Sequence, residues 1–272
     1  MESYGESRIY IAYLITFIII LSGAIPFFYK YLQVRCCQRS HDMKAPQATK
    51  KRPESLPTWL KLCLLVLLSL LMLTYCAIED TFSGFLATFC VDYLNWGKDV
   101  SSYATSLHWG AFCIGRFLGI VWIKFFRPVQ LLCAFLILLI ISFVCLFISS
   151  LTMTNVCIWI FIPACGFSMS IVFPCIFQWT EESILEVTGK ISSMFLVSAS
   201  AGLLCNPVLV GYLMKNLGPI SFMYIQVSEC FLCFGLFLLV WYLVNKYIKR
   251  PRRDMEIVIP PPEELEPFEI KS

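Results

Sequence analysis

Long apolar runs recur along this sequence and are separated by short polar stretches. A run of about twenty residues crosses the ~30 Å hydrocarbon core of a bilayer as an α-helix, in which the backbone groups are hydrogen-bonded internally. The pattern therefore predicts an all-α polytopic membrane protein with seven transmembrane helices. The predicted spans are Tyr10–Tyr29, Leu60–Cys90, Ser102–Ile123, Val129–Ile148, Val156–Phe177, Ile191–Met214 and Ile220–Val244.

Two longer polar segments divide the chain. Residues 30–59 contain many charges and three prolines without an apolar period, which predicts a flexible or weakly helical cytoplasmic linker. Residues 248–272 contain a proline run and clustered acids, which is typical of a disordered tail. The sequence thus predicts a single transmembrane helix in residues 1–29 and a six-helix unit in residues 60–247.

Composition strengthens the membrane assignment. Of the 272 residues, 58% are hydrophobic and only 14% are charged, whereas about a quarter are charged in soluble domains. The lipid bilayer is the first expected partner, and no nucleic-acid partner is expected. The sequence contains no HExxH, GxSxG or phosphate-loop motif, and its cysteines lack metal-site spacing. We therefore expect neither an enzyme nor a metal site.

The basic residues indicate how the spans are oriented. If the spans alternate in direction, only Arg8, Lys98 and Lys215 of the 21 Lys and Arg residues face one side, and Arg116 lies within a span. The positive-inside rule assigns the other side to the cytoplasm. We therefore expect a multi-pass plasma-membrane protein with its N-terminus outside and its C-terminus inside. Residues 10–20 also resemble the apolar part of a signal peptide, but acids precede them where signals carry positive charge.

Two adjacent acids, Glu79 and Asp80, lie inside the second apolar run. A charged side chain near the bilayer centre costs roughly 2.5–3.5 kcal/mol on insertion scales, so these acids are expected to face protein or water. The run from Trp59 to Cys90 is longer than a bilayer requires, which predicts a tilted or broken helix. Gly84 offers a place for a break, and broken helices carry substrate and ion sites in transporters.

Glu79 shares a helix face with Tyr75 and Ser83, and Phe82 flanks that face. Carboxylate, hydroxyl and aromatic groups together suit a sugar, and carboxylates also bind small cations. Because adjacent helix residues point about 100° apart, Glu79 and Asp80 are not expected to face one spot. Glu79 is the predicted substrate or ion residue and Asp80 a supporting residue. The alternative is that the acids only join helices by hydrogen bonds.

Arg116 lies well inside the third span and needs a carboxylate on its own side of the membrane. The cytoplasmic loop after the fifth span offers three, so the sequence predicts a structural latch between Arg116 and Glu181, Glu182 or Glu186.

Polar residues also lie in the last two spans. Glu229 either lines a cavity with Gln226 or ties helices together. Asn206, in the sixth span, joins these two as a further candidate substrate or ion residue.

Three motifs in order, GRFLGI at 115–120, GFSMSIVFPCIF at 166–177 and PVLVGYL at 207–213, resemble the C-terminal lobe of a major facilitator superfamily transporter. They are most similar to sugar carriers of the fucose–proton symporter type. Among these, TYCAIEDTFSGFLATF resembles the seventh helix of the sodium-dependent glucose transporter group, in the domain-containing protein 4 branch. The resemblance implies sodium-coupled monosaccharide symport, with glucose as substrate, sodium as the candidate coupling ion and no cofactor. It also implies that Glu79 lines a central cavity.

A full carrier of this kind has two six-helix lobes, whereas this sequence has spans for the last helix of the first lobe and for all of the second. The resemblance therefore implies a short isoform, a fragment, or assembly with another copy or a full-length carrier. One alternative is a non-transporting short form that modulates a full-length relative. A remote alternative is a seven-helix receptor, although no Asp-Arg-Tyr-like triplet ends the third span.

Overall fold

The computed structural model describes residues 3–38 and 57–249, and its contacts divide the chain into two compact units, Met1–Ser55 and Leu56–Ser272. Helix α1 of the first unit covers Ser3–Gln38. It continues beyond the predicted end of the first span at Tyr29, because a helix does not have to end where it leaves the apolar layer. Most of the predicted linker and nearly all of the predicted tail lie outside the described residues.

The second unit is a bundle of α-helices. Helix is the only regular structure in the described ranges, which confirms the all-α prediction. The helices are α2 (Thr58–Asp92), α3 (Lys98–Trp122), α4 (Pro128–Leu151), α5 (Asn155–Met169), α6 (Val172–Ser183), α7 (Gly189–Leu217) and α8 (Ser221–Val244), followed by a π-helical turn at Asn245–Lys249.

Within the described residues, six helical segments are long and apolar enough to cross a membrane. They correspond to six of the seven predicted spans and are Tyr13–Tyr31, Thr58–Asp92, Pro128–Leu151, Asn155–Ser183, Gly189–Leu217 and Ser221–Ile248. The remaining predicted span, Ser102–Ile123, lies in α3. That helix has 25 residues and is long enough to cross, but polar residues such as His108 and Arg116 make it less apolar than the other six.

Helix α2 is one continuous helix of 35 residues, so the break predicted near Gly84 is not present. A Cβ atom added to Gly84 would meet nothing within 4 Å, which means that no neighbouring element approaches closely there. Flexibility at a glycine does not by itself open a helix, because every broken backbone bond needs a new partner in a membrane.

The break lies instead at Ser170 and Ile171, between α5 and α6 and inside the predicted span Val156–Phe177. Pro174 gives a local reason for it. The proline ring has no N–H and would clash with the carbonyl of Ser170 in a continuous helix. In the first turn of α6 the missing N–H costs nothing, because the N–H groups there have no helical acceptor.

Two neighbouring helices pack against this break. Cβ atoms added to Gly115 and Gly119 of α3 would overlap the side chains of Ser170 and Ile171, so α3 lies directly on it. From α2, the hydroxyl of Tyr75 donates a hydrogen bond of 2.5 Å to the carbonyl oxygen of Met169. A carbonyl in the last turn of α5 thus has a partner in the bundle interior.

Phe82 of α2 marks the centre of the bundle. Its side chain is fully buried, and its ring lies 4.9–5.9 Å from the rings of His108 in α3, Phe143 in α4 and Phe222 in α8. Aromatic pairs at such distances stabilise a core beyond simple burial. Although Phe82 follows Glu79 by three residues on this continuous helix, its ring fills the core where four helices meet.

Candidate functional site

Glu79 and Asp80 both line an open cavity of about 280 Å³ in the second unit. Helices α2, α3, α6 and α7 contribute its walls, and the lining residues are Cys76, Glu79, Asp80, Arg116, Phe173, Leu196, Ala199, Ser200 and Leu203. The expectation that the two acids do not face one spot was wrong. The cavity is wide enough to receive side chains that leave the helix about 100° apart.

The only ion pair between described residues joins Nη2 of Arg116 to Oε1 of Glu79, at 3.9 Å. The Glu79 side chain is 15% exposed and that of Arg116 is 42% exposed. Because direct N–H···O bonds measure about 2.7–3.2 Å, this is a charge contact that leaves room for a bridging hydroxyl or water. The Arg116 guanidinium also lies 4.7 Å from the ring centroid of Phe112, a cation–π contact that orients it.

The predicted latch is therefore corrected. Arg116 pairs with Glu79 and with none of Glu181, Glu182 and Glu186. Those three glutamates are exposed, and Glu181 and Glu182 accept hydrogen bonds within their own segment. The pairing follows from solvation, because a mostly buried carboxylate such as Glu79 gains more from a cation than an exposed one does.

The residues predicted to share the face of Glu79 do not line the cavity. Tyr75 is fully buried and its hydroxyl is engaged by Met169, so it holds the break between α5 and α6. The hydroxyl of Ser83 donates to the backbone carbonyl of Asp80 at 3.0 Å. Helix α2 is rotated so that Cys76, Glu79 and Asp80 face the cavity, at the i, i+3 and i+4 spacing of one helix side.

A second polar group lies where α2, α7 and α8 meet, and we call it the Asn206 cluster. Nδ2 of Asn206 lies 2.9 Å from Oγ1 of Thr81, 3.2 Å from the carbonyl oxygen of Ala77 and 3.2 Å from Oε2 of Glu229. Of its residues, Asn206 and Glu229 were predicted candidates. Thr81 and the Ala77 carbonyl were missed, although their i, i+4 spacing in a span with internal acids could have suggested them.

Close packing of two helices fixes this cluster. A Cβ atom added to Gly202, one turn before Asn206 in α7, would lie 2.5 Å from the carbonyl oxygen of Leu73 in α2. The backbones therefore meet directly, as small residues permit in membrane bundles. Of the two alternatives for Glu229, the structure shows the tie between helices, through Asn206 of α7, and not a cavity shared with Gln226. Gln226 is fully buried, and its amide has no hydrogen-bond partner among the described residues.

The comparison with known proteins agrees with the resemblance seen in the motifs. No family model matches the sequence. Over 173 residues the chain is 30% identical to major facilitator superfamily domain-containing protein 4A of Danio rerio, covering 62% of this chain and 32% of the relative. It is 31% identical to sodium-dependent glucose transporter 1 of Danio rerio over 144 residues, covering 52% and 23% respectively. It is 27% identical to sodium-dependent glucose transporter 1A of Mus musculus over 150 residues, covering 55% and 35%.

The matched part of the chain spans about a third or less of the length of these curated relatives. Together with the apolar helices, the matches identify a multi-pass membrane protein. They lend no support to the receptor alternative. They confirm the resemblance drawn from the motifs: over 52–62% of its length, this chain is similar to major facilitator superfamily proteins.

Proposed function

We propose that this chain is part of a secondary active transporter and carries the substrate-facing half of a sodium-coupled monosaccharide symporter. Two of the relatives are named sodium-dependent glucose transporters, which supports transport over an enzymatic role. The observation that carries the proposal is the open cavity in which Glu79, Asp80 and Arg116 meet. Glucose is the proposed substrate, and sodium is the proposed coupling ion.

The chemistry of the cavity suits a sugar. Ionised carboxylates accept hydrogen bonds and a guanidinium donates them. The three charged groups can therefore bind the hydroxyls of a sugar, each of which both donates and accepts. The 3.9 Å gap between Glu79 and Arg116 leaves space for one hydroxyl to bridge them. The volume of the cavity, about 280 Å³, is close to the lower limit of about 300 Å³ for small-molecule sites. Phe173 and Leu196 supply apolar contact for the sugar ring.

We propose that protein covers this cavity in the membrane. Carboxylates within membrane spans that face lipid would cost several kcal/mol, so the open side needs a partner surface. Another copy of this chain or a full-length carrier would supply it, since the matches leave about two thirds or more of each relative uncovered. Alternating access would then move the two halves about the cavity. The plasma membrane, with the N-terminus outside, is the proposed setting.

Glucose binding tests the proposal directly. Purified chain in lipid nanodiscs is incubated with radiolabelled glucose, with unlabelled glucose and mannitol as competitors. Glu79→Gln and Arg116→Gln should each weaken binding about tenfold or more, because each removes a charge-assisted hydrogen bond. Glu182→Gln is the matched control, since Glu182 is exposed and hydrogen-bonded only within its own segment. Equal binding by the wild type and both cavity variants would overturn the assignment of the site.

Uptake separates transport from modulation. Vesicles that contain only this chain are compared with vesicles that also contain a full-length relative, with and without a sodium gradient. If either preparation takes up glucose with the sodium gradient, and Glu79→Gln in this chain abolishes that uptake, the chain is a transporting half. A change in the relative's uptake that Glu79→Gln leaves intact would favour the modulating short form instead.

A further inference from the structure

The Asn206 cluster contains more hydrogen-bond acceptors than donors. A side-chain amide nitrogen carries two N–H groups, yet three oxygens from Ala77, Thr81 and Glu229 lie within 3.2 Å of Nδ2 of Asn206. The oxygens belong to a backbone carbonyl, a hydroxyl and a carboxylate, and they come from two different helices. Their lone pairs thus converge on a single point inside the bundle.

Convergent oxygens of these three kinds are the ligands of a hard cation. Carbonyl, hydroxyl and carboxylate oxygens bind such ions, and backbone carbonyls within membrane spans hold sodium in transporters. The NH₂ group of Asn206 now fills the point on which they converge. Rotation of that amide by about half a turn would replace its donor with Oδ1 and complete a set of four oxygens.

The charge of the cluster selects the kind of cation. Glu229 is the only ionisable residue in it, and the other three ligands are neutral. One carboxylate balances one positive charge, whereas calcium sites use more oxygens and several carboxylates. Because α2 and α7 meet backbone to backbone at Gly202, the oxygens cannot spread easily to take a larger ion. The charge argument disfavours divalent ions and the packing argument disfavours potassium, so together they favour sodium.

We infer that the Asn206 cluster is a sodium site, with Ala77, Thr81, Asn206 and Glu229 as ligands, and that the amide of Asn206 occupies it when the ion is absent. None of these four residues lines the cavity that holds Glu79. The inference gives the coupling ion of the proposed function a place of its own. It depends on that function only for its physiological use, since an ion binds whether or not a sugar does.

Thermal unfolding of the purified chain tests this inference without sugar. Melting temperature is measured in sodium chloride and in potassium or choline chloride at equal ionic strength. A ligand that binds only the folded state raises the melting temperature, by about 3 °C when sodium is at about ten times its Kd. Glu229→Gln and the isosteric Thr81→Val should each abolish the sodium-specific rise. Ser228→Ala is the control, because this exposed neighbour bonds only to its own helix.

Three results would overturn the sodium site. They are the absence of a sodium-specific rise in the wild type, an unchanged rise in both cluster variants, and a rise lost in Asp80→Asn but kept in Thr81→Val. The last would place the ion in the cavity. If Glu229→Gln does not fold, the melting temperature of Thr81→Val and the binding of ²²Na⁺ to Thr81→Val still decide the question. Loss of glucose binding with an intact sodium response would count against the sugar proposal alone.

Discussion

Helix α2 and the α5–α6 segment differ in continuity, and the break is in the segment where the sequence did not predict it. Helix α2 has two internal acids, a glycine and more length than a bilayer needs, yet it is continuous from Thr58 to Asp92. The α5–α6 segment has its two acids, Glu181 and Glu182, only near its end, yet it is broken in the middle at Ser170 and Ile171. The difference lies in their neighbours and in one proline.

Around Gly84 no atom approaches within 4 Å of an added Cβ, so no neighbouring helix packs there to support a break. Around Ser170, the glycines of α3 make room and Tyr75 of α2 binds a carbonyl of the last turn of α5. A membrane helix opens where the bundle supplies space and hydrogen-bond partners, because lipid supplies neither.

Filling the space at the break should have the largest effect. Gly115→Leu places a side chain where Ser170 packs, so we expect a loss of about 3 kcal/mol in unfolding free energy from overpacking. The measurement is thermal unfolding of the purified chain in detergent, followed by helical circular dichroism. Gly110→Leu on the same helix is the control, because an added Cβ there meets nothing within 4 Å. Equal losses in both variants would show that the break does not depend on this contact.

Removing the hydrogen bond at the break should have a smaller effect. Tyr75→Phe keeps the buried ring but leaves the carbonyl of Met169 without the hydroxyl, which should cost about 2 kcal/mol. Tyr103→Phe is the control, since that residue is 69% exposed. Hydrogen exchange should also speed up near residues 169–171. Unchanged stability and exchange in Tyr75→Phe would mean that the bond contributes nothing to the break.

The smallest effect is expected in the helix that does not break. Gly84→Ala should raise the unfolding free energy by about 0.5–1 kcal/mol, because alanine is the better helix former at an exposed position with free space. Sodium and glucose binding should not change. A marked loss of either in Gly84→Ala would show that α2 does bend at this residue during function.

Much of the fold could be predicted from the sequence, because apolar length directly reports membrane crossing. The ends and existence of α4, α7 and α8 follow from their apolar runs. The break between α5 and α6 also left a signal, since Pro174 stands four residues after Ser170. Its position was settled by tertiary contacts with Gly115 and Tyr75, however, and no sequence pattern records which helices become neighbours.

The candidate site was predicted less well, for a related reason. The presence of acids in an apolar run correctly drew attention to Glu79 and Asp80, which line the cavity together. Their partners depend on how α2 is rotated in the bundle. That rotation buried Tyr75 and Phe82 and brought Arg116 to Glu79 rather than to the loop glutamates. Functional roles for these residues stay predictions until binding is measured.

Helix α7 takes part in both of the places that we assign to ligands. One side of it lines the cavity through residues such as Ser200 and Leu203, while Asn206 is at the centre of the Asn206 cluster and Gly202 packs against α2. If the helix slides along α2, both places change in the same movement. Sugar and ion would then each alter the affinity of the other by the same factor, as thermodynamic reciprocity requires. Helix α7 would thus couple the two binding sites, and its contact with α2 at Gly202 would be the point about which it moves.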